Sequence, residues 1–104
     1  MSSILTSIAP VNLTNGVATQ ILSTKIYASS VICYADNLNT GNIYMGGPTV
    51  SVTNGIPISK NMSNSLAYDL VWGANGKIDL SSIYFDTDTS GNKVRVVYVP
   101  WGQG

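Results

Sequence analysis

Asp86, Asp88 and Ser90 place side-chain oxygens at alternate positions and are followed by Gly91, which is the D-x-D-x-S-G order of a calcium loop. A hard cation takes oxygen ligands spaced in this way, with a glycine to allow the sharp turn. The match stops there. The twelfth position, where a bidentate Glu belongs, is Val97, and the flanking residues read as strands rather than helices. The competing reading of Asp86 to Asn92 is a hairpin turn between Phe85 and Lys93, because Asp, Ser and Gly are turn-forming residues. The calcium pattern is incomplete, so no metal ligands are assigned.

Other reactive groups are scarce. The chain has no His, which removes the Ser-His-Asp triad, the Cys-His pair and His-based metal sites. It has no Glu, so paired-carboxylate chemistry would rest on five Asp residues. Gly46-Gly47-Pro48 lies between strand-like segments, and Pro48 offers no N–H to a phosphate. The single cysteine, Cys33, sits within the apolar run Val31-Ile32-Cys33-Tyr34 and reads as a small buried hydrophobe; with one Cys there is no intrachain disulfide. We expect no catalytic residues, no cofactor and no enzymatic activity.

The aromatic residues are the remaining feature. Tyr27, Tyr34, Tyr44, Tyr68, Tyr84 and Tyr98 fall in or beside strand-like segments. They suit either a stacking platform for sugars or the usual role of Tyr, with the ring buried and the hydroxyl at the edge. Trp72 and Trp101 are of a type enriched at interfaces. Trp101 belongs to a Pro-Trp-Gly-Gln-Gly tail, where its ring is either tucked under the domain or handed to a neighbour.

Composition narrows the partners. Of 104 residues, 10 % are charged, against a usual ~25 %. Five basic and five acidic residues cancel, and the basic ones are mostly far apart. Counterion displacement from nucleic acid needs a concentrated positive field, so none is expected as partner. Polarity comes from 13 Ser, 9 Thr and 10 Asn. A neutral, charge-poor surface suits a protein held in an assembly. The opening residues Met1 to Ile8 lack a charged, long-apolar leader pattern, and no run approaches the ~18 apolar residues needed to span a membrane. Synthesis in the cytoplasm is expected.

The elements that must carry these residues are strands. Turn residues interrupt almost every stretch, and strand signals recur every ~8–12 residues. The candidates are Val17 to Leu22, Lys25 to Tyr34, Asn42 to Met45, Thr49 to Thr53, Ile56 to Ile58, Leu66 to Trp72, Tyr84-Phe85 and Lys93 to Trp101. Ile78 to Ile83 reads as a strand or a single helical turn capped by Asp79. Asn15-Gly16 and Asn54-Gly55 mark tight turns, and Pro57 argues for an edge strand. In the long segment Lys25 to Tyr34, Ile26, Ala28, Ser30, Ile32 and Tyr34 would share one face, with Tyr27, Ser29, Val31 and Cys33 on the other. Both faces carry apolar groups, which predicts a central strand covered at least in part on two sides. The economical fold is all-β: a single antiparallel sandwich, jelly-roll-like, with an Ig-like sandwich as the alternative. The Ig hallmark is missing, since one Cys cannot bridge two sheets beside a buried Trp. Residues 14–104 form the sandwich domain, and residues 1–13 are an N-terminal arm or an edge strand.

Two stretches resemble patterns common in small proteins of tailed bacteriophages. Thr40-Gly41-Asn42-Ile43-Tyr44-Met45-Gly46-Gly47-Pro48-Thr49-Val50-Ser51, continuing to Gly55-Ile56-Pro57-Ile58, is similar to their "T-G-N-[IV]-Y-[VM]-G", "T-V-S", "G-I-x-[LI]" order. Ile78-Asp79-Leu80-Ser81-Ser82-Ile83-Tyr84-Phe85-Asp86 is similar to "D-L-S-x-I-Y-[VF]-D", followed by a Gly-containing turn and a closing strand like Val94 to Val99. The resemblance spans roughly residues 25–100. It implies a β-sandwich virion protein without catalytic residues. The role implied is a head decoration (cement) protein on the capsid surface, which binds the major capsid protein and further copies of itself, as a homotrimer. Related domains in tail, neck or fibre parts supply the alternative, contact with host surface glycan. Pro48 departs from the pattern: it stands where related sequences commonly have Ser or Asp, and it weakens any role for a carboxylate or hydroxyl there.

Overall fold

A computed structural model describes residues 5–59, 67–68 and 78–101. Their strands are β1 (Thr6–Asn12), β2 (Thr19–Gln20), β3 (Tyr27–Ala35), β4 (Asn42–Gly46), β5 (Ile56–Ser59), β6 (Ala67–Tyr68), β7 (Ile78–Asp79), β8 (Tyr84–Thr87) and β9 (Lys93–Pro100). All pairings among them are antiparallel, and five are nested about the middle of the chain: β4 with β5, β3 with β6 and β7, β2 with β8, β1 with β9. This is one long ribbon folded on itself. Rolling the ribbon adds β3 to β9 and β4 to β8. The sheets that result run β1-β9-β3-β6, with β7 also on β3, and β2-β8-β4-β5. The last strand thus lies between the first and the third, the order of a jelly roll, and the Ig-like alternative does not describe it.

Alternation explains why the ribbon rolls. Val94, Val96 and Tyr98 of β9 face inward, with Ile43 and Met45 of β4, Ile58 of β5 and Phe85 of β8. Leu13, Ile21, Ile78, Leu80 and Ile83 close the core from loops and short elements. Burying each side chain of this size contributes roughly 1.5–3 kcal/mol.

Several expectations need correcting. In β3 the register shifts between Ala28 and Ser30, a bulge that puts Ala28 on the buried face with Val31, Cys33 and Ala35. The extra residue moves every earlier side chain to the opposite face. β3 lies inside its sheet, as expected, but Ile32 on its outer face stays 37 % exposed. Thr49 to Thr53 is not a strand. Ser51 N–H donates to Asn54 Oδ1, Asn54 N–H and Gly55 N–H donate to the Ser51 carbonyl, and Ser51 Oγ bonds Thr53 Oγ1. These local bonds replace a ladder. Val17 to Leu22 narrows to Thr19–Gln20. Ile78 to Ile83 is both things at once, a short strand and then a 3-10 turn over Leu80–Ser82, with Asp79 accepting from Ser81 N–H. Among the described strands, Pro57 lies on an edge one, β5. Of Leu66 to Trp72, all but 67–68 lie outside the described residues.

Candidate functional site

Three turns meet at one end of the sandwich, and the oxygens of the calcium-like pattern lie among them. Asp86 sits on the outward side of β8 yet is 2 % exposed, because the Thr14–Val17 turn folds over it. Its Oδ1 accepts from Gly16 N–H (2.8 Å) and Thr87 N–H (2.7 Å). Both carboxylate oxygens of Asp88 accept from Asn42 N–H at 3.1 Å. Ser90 Oγ accepts from Asn15 N–H at 3.0 Å. The three groups therefore point to different backbone donors rather than to a common centre. Among the described residues no three His, Cys, Asp or Glu side chains gather as a metal site needs. The segment is a turn but not the expected hairpin: β8 and β9 do not pair, and the turn carries the chain from the second sheet to the first.

Side-chain amides, buried at Asn39 and Asn92 and exposed at Asn15, complete the cluster. Asn92 donates to the Thr40 carbonyl (2.7 Å) and Thr87 Oγ1 (3.0 Å) and accepts from Thr40 N–H (2.9 Å). Asn39 exchanges two bonds with the Lys93 backbone, at 2.7 and 2.8 Å, as a strand partner would. Asn15 Nδ2 donates to the Thr87 carbonyl at 2.8 Å. Gly41 (φ +88°) lies against Asp88 so closely that a Cβ there would overlap the carboxylate. Backbone groups unable to join a ladder at the turn ends are thus satisfied by side chains. The cluster braces; it presents no paired acid and base. Sequence reading placed Asn15, Thr87 and Asn92 in turns but gave their side chains, and that of Asn39, no bracing role, although Thr87 carries a signal: two residues after Phe85, it is fully buried where an apolar residue would be the rule.

Among the described residues two ionisable groups are perturbed. Asp36, 4 % exposed, accepts from Leu38 N–H (3.0 Å) and pairs with Arg95 (3.1 Å). The Leu38 bond and the guanidinium hold its carboxyl below the usual range, against the opposing effect of burial. Burial pushes the Cys33 thiol up to about 12, so it behaves as a small apolar group.

What remains is surface. On the outer face of the first sheet, Ile32 pairs with Val97, Ser30 with Val99, and Tyr34 with Arg95. Tyr27 and Trp101 stand beside this face, 38 % and 45 % exposed, with Trp101 N–H donating to the Tyr27 carbonyl. Trp72 lies outside the described residues. On the outer face of the second sheet, Tyr44 and Tyr84 lie diagonally across β4 and β8, with Pro57 opposite Tyr44 and Gly46 opposite Tyr84. Val50 is buried outside the central core, seated where Gly46 and Gly55 lack a Cβ. Of the tyrosines whose side chains are described, only Tyr98 is in the core.

Comparison with protein-family models, with curated proteins and with solved structures finds no match.

Proposed function

We propose that this chain is a virion structural protein of a tailed bacteriophage, a head decoration protein that binds and stabilises the capsid shell. The observation that carries the reading is the outer face of β3 and β9. Ile32, Val97 and Val99 form an apolar strip there, with Arg95 as its charged border, already paired to Asp36. Such a face gains by covering, since apolar area removed from water is worth roughly 25 cal/mol per Å². The scarcity of charge elsewhere and the resemblance at residues 40–58 and 78–86 support the same reading. The partners are the major capsid protein and further copies of the chain, as a trimer.

Light scattering on the purified chain and co-sedimentation with assembled shells test this. The expected result is an oligomer that pellets with shells in preference to free capsid subunits. Ile32→Glu keeps the fold, by circular dichroism, and loses the pelleting. A strict monomer indifferent to shells removes the proposal.

A second reading is favoured by the neighbouring rings of Tyr44 and Tyr84: a tail, neck or fibre component that stacks host glycan on the other sheet. A glycan array tests it, with binding lost in Tyr44→Ala; silence across the array ends it.

A further inference from the structure

The chain has three Asn-Gly pairs; Asn75-Gly76 lies outside the described residues, and the other two differ in chemistry as well as position. In an Asn-Gly pair the glycine nitrogen can attack the preceding side-chain amide. A bond forms from Gly N to Asn Cγ, the Cγ–Nδ2 bond breaks, and ammonia leaves with the proton lost from Gly N. Water then opens the succinimide to Asp or isoaspartate. No redox partner is needed, only solvent.

At Asn15-Gly16, Gly16 N–H donates to Asp86 Oδ1 at 2.8 Å, and Asp86 is 2 % exposed. Removing that proton would leave two negative charges in contact, in a setting where water screens them poorly. Asn15 Nδ2, the departing group, is tied to the Thr87 carbonyl at 2.8 Å. Both ends of the reaction are restrained. At Asn54-Gly55, Gly55 N–H meets a neutral carbonyl, that of Ser51, at 2.9 Å. Asn54 Nδ2 is bound only at 3.3 Å, to the Thr49 carbonyl. Ser51 N–H donates to Asn54 Oδ1 at 2.8 Å, the oxygen on which negative charge develops as the ring closes. A donor already aimed at a developing oxyanion lowers the barrier. Asn15 and Asn54 are both exposed to the water that completes the reaction, so the contrast rests on these bonds and not on access.

We propose that Asn54 is a site of spontaneous succinimide formation in the folded protein, and that the Asp86 carboxylate keeps Asn15 inert. Conversion at Asn54 adds a negative charge to a chain with net charge zero, on the loop that seats Val50.

The test uses the full chain, incubated in heavy-oxygen water at mildly alkaline pH, folded in one sample and in strong denaturant in another. Peptide mapping by mass spectrometry reads both sites. In the folded sample, label and isoaspartate accumulate at residue 54 about tenfold faster than at residue 15, a fraction of what one well-placed oxyanion donor supplies in an enzyme. In denaturant the two rates converge. Equal rates in the folded sample overturn the proposal, as does an unreacted Asn54 in a chain that converts when unfolded. A contrast that persists in denaturant also overturns it, because local sequence would then be the cause.

Discussion

Asp36 and Val50 show how single side chains are committed. Asp36 titrates lower in the folded chain than in the unfolded one, where an Asp titrates near pH ~3.9. Its contribution to stability is therefore present above that value and is lost as pH falls through the lower folded-state value. Urea midpoints measured down an acid series should fall less steeply for Asp36→Asn than for the parent chain. Identical slopes would show that the Arg95 pair is not linked to folding. Val50 makes a sharper case. A Cβ at Gly46 would lie 2.7 Å from Val50 Cγ2, and one at Gly55 would lie 2.7 Å from the same atom, 2.8 Å from Tyr44 Cβ and 3.1 Å from the Ser51 carbonyl oxygen. Gly46→Ala and Gly55→Ala should each cost about 1–3 kcal/mol by overpacking. Adding Val50→Gly should relieve the first and not the second, since Val50 Cβ itself lies 2.9 Å from a Cβ at Gly46 and must go with Cγ2, whereas Tyr44 and the backbone stay in place at Gly55. Denaturant melts of the double-mutant cycle measure this coupling.

At the scale of elements, the turns do work that the strands cannot. The short β2 is two residues long, yet the turn before it is held by Asp86, Thr87 and Ser90. Asn92 ties the β8–β9 turn to Thr40, and Asn39 takes the place of a strand partner at Lys93, the first residue of β9. Asn92→Ala would strand Thr40 N–H and remove partners from the Thr40 carbonyl and Thr87 Oγ1. A loss of about 1–2 kcal/mol is expected, the lower part of the ~1–3 kcal/mol for an unsatisfied buried group, because Thr40 is exposed and Thr87 Oγ1 keeps other partners. Exposed Asn37→Ala, one turn away, should stay within about 0.5 kcal/mol of the parent. Urea denaturation of the two variants makes the comparison. If they match, the amide network is ornamental.

For the whole molecule, nested pairing brings β1 and β9, from opposite ends of the chain, side by side. Stability then depends on contacts distant in sequence, and folding is expected to be slow for the chain's size. Added calcium should leave the thermal midpoint unchanged, because Asp86, Asp88 and Ser90 are already engaged with separate backbone donors. A midpoint that climbs with calcium would mean those bonds yield to the ion. The outer β3–β9 face is the other feature at this scale, and shell co-sedimentation of Ile32→Glu is its measurement.

Strand-forming residues between turn signals were enough to read β9 and β4, but which face of β9 turns inward waited on the fold. Pro57 likewise announced an edge, because a missing N–H is a property of the residue itself. Absence of His and Glu and scarcity of charge are also fixed by composition. Tertiary structure decided the rest, for a physical reason in each case. The bulge at Ala28–Ser30 depends on a partner strand some 70 positions away, Ser30 opposite Val99, and no local pattern encodes it. Thr49 to Thr53 has strand-forming side chains, but its hydrogen bonds close within the loop once Val50 finds the space left by two glycines. The calcium-like oxygens could not be told from turn residues until their donors were known, since a carboxylate's role is set by what faces it.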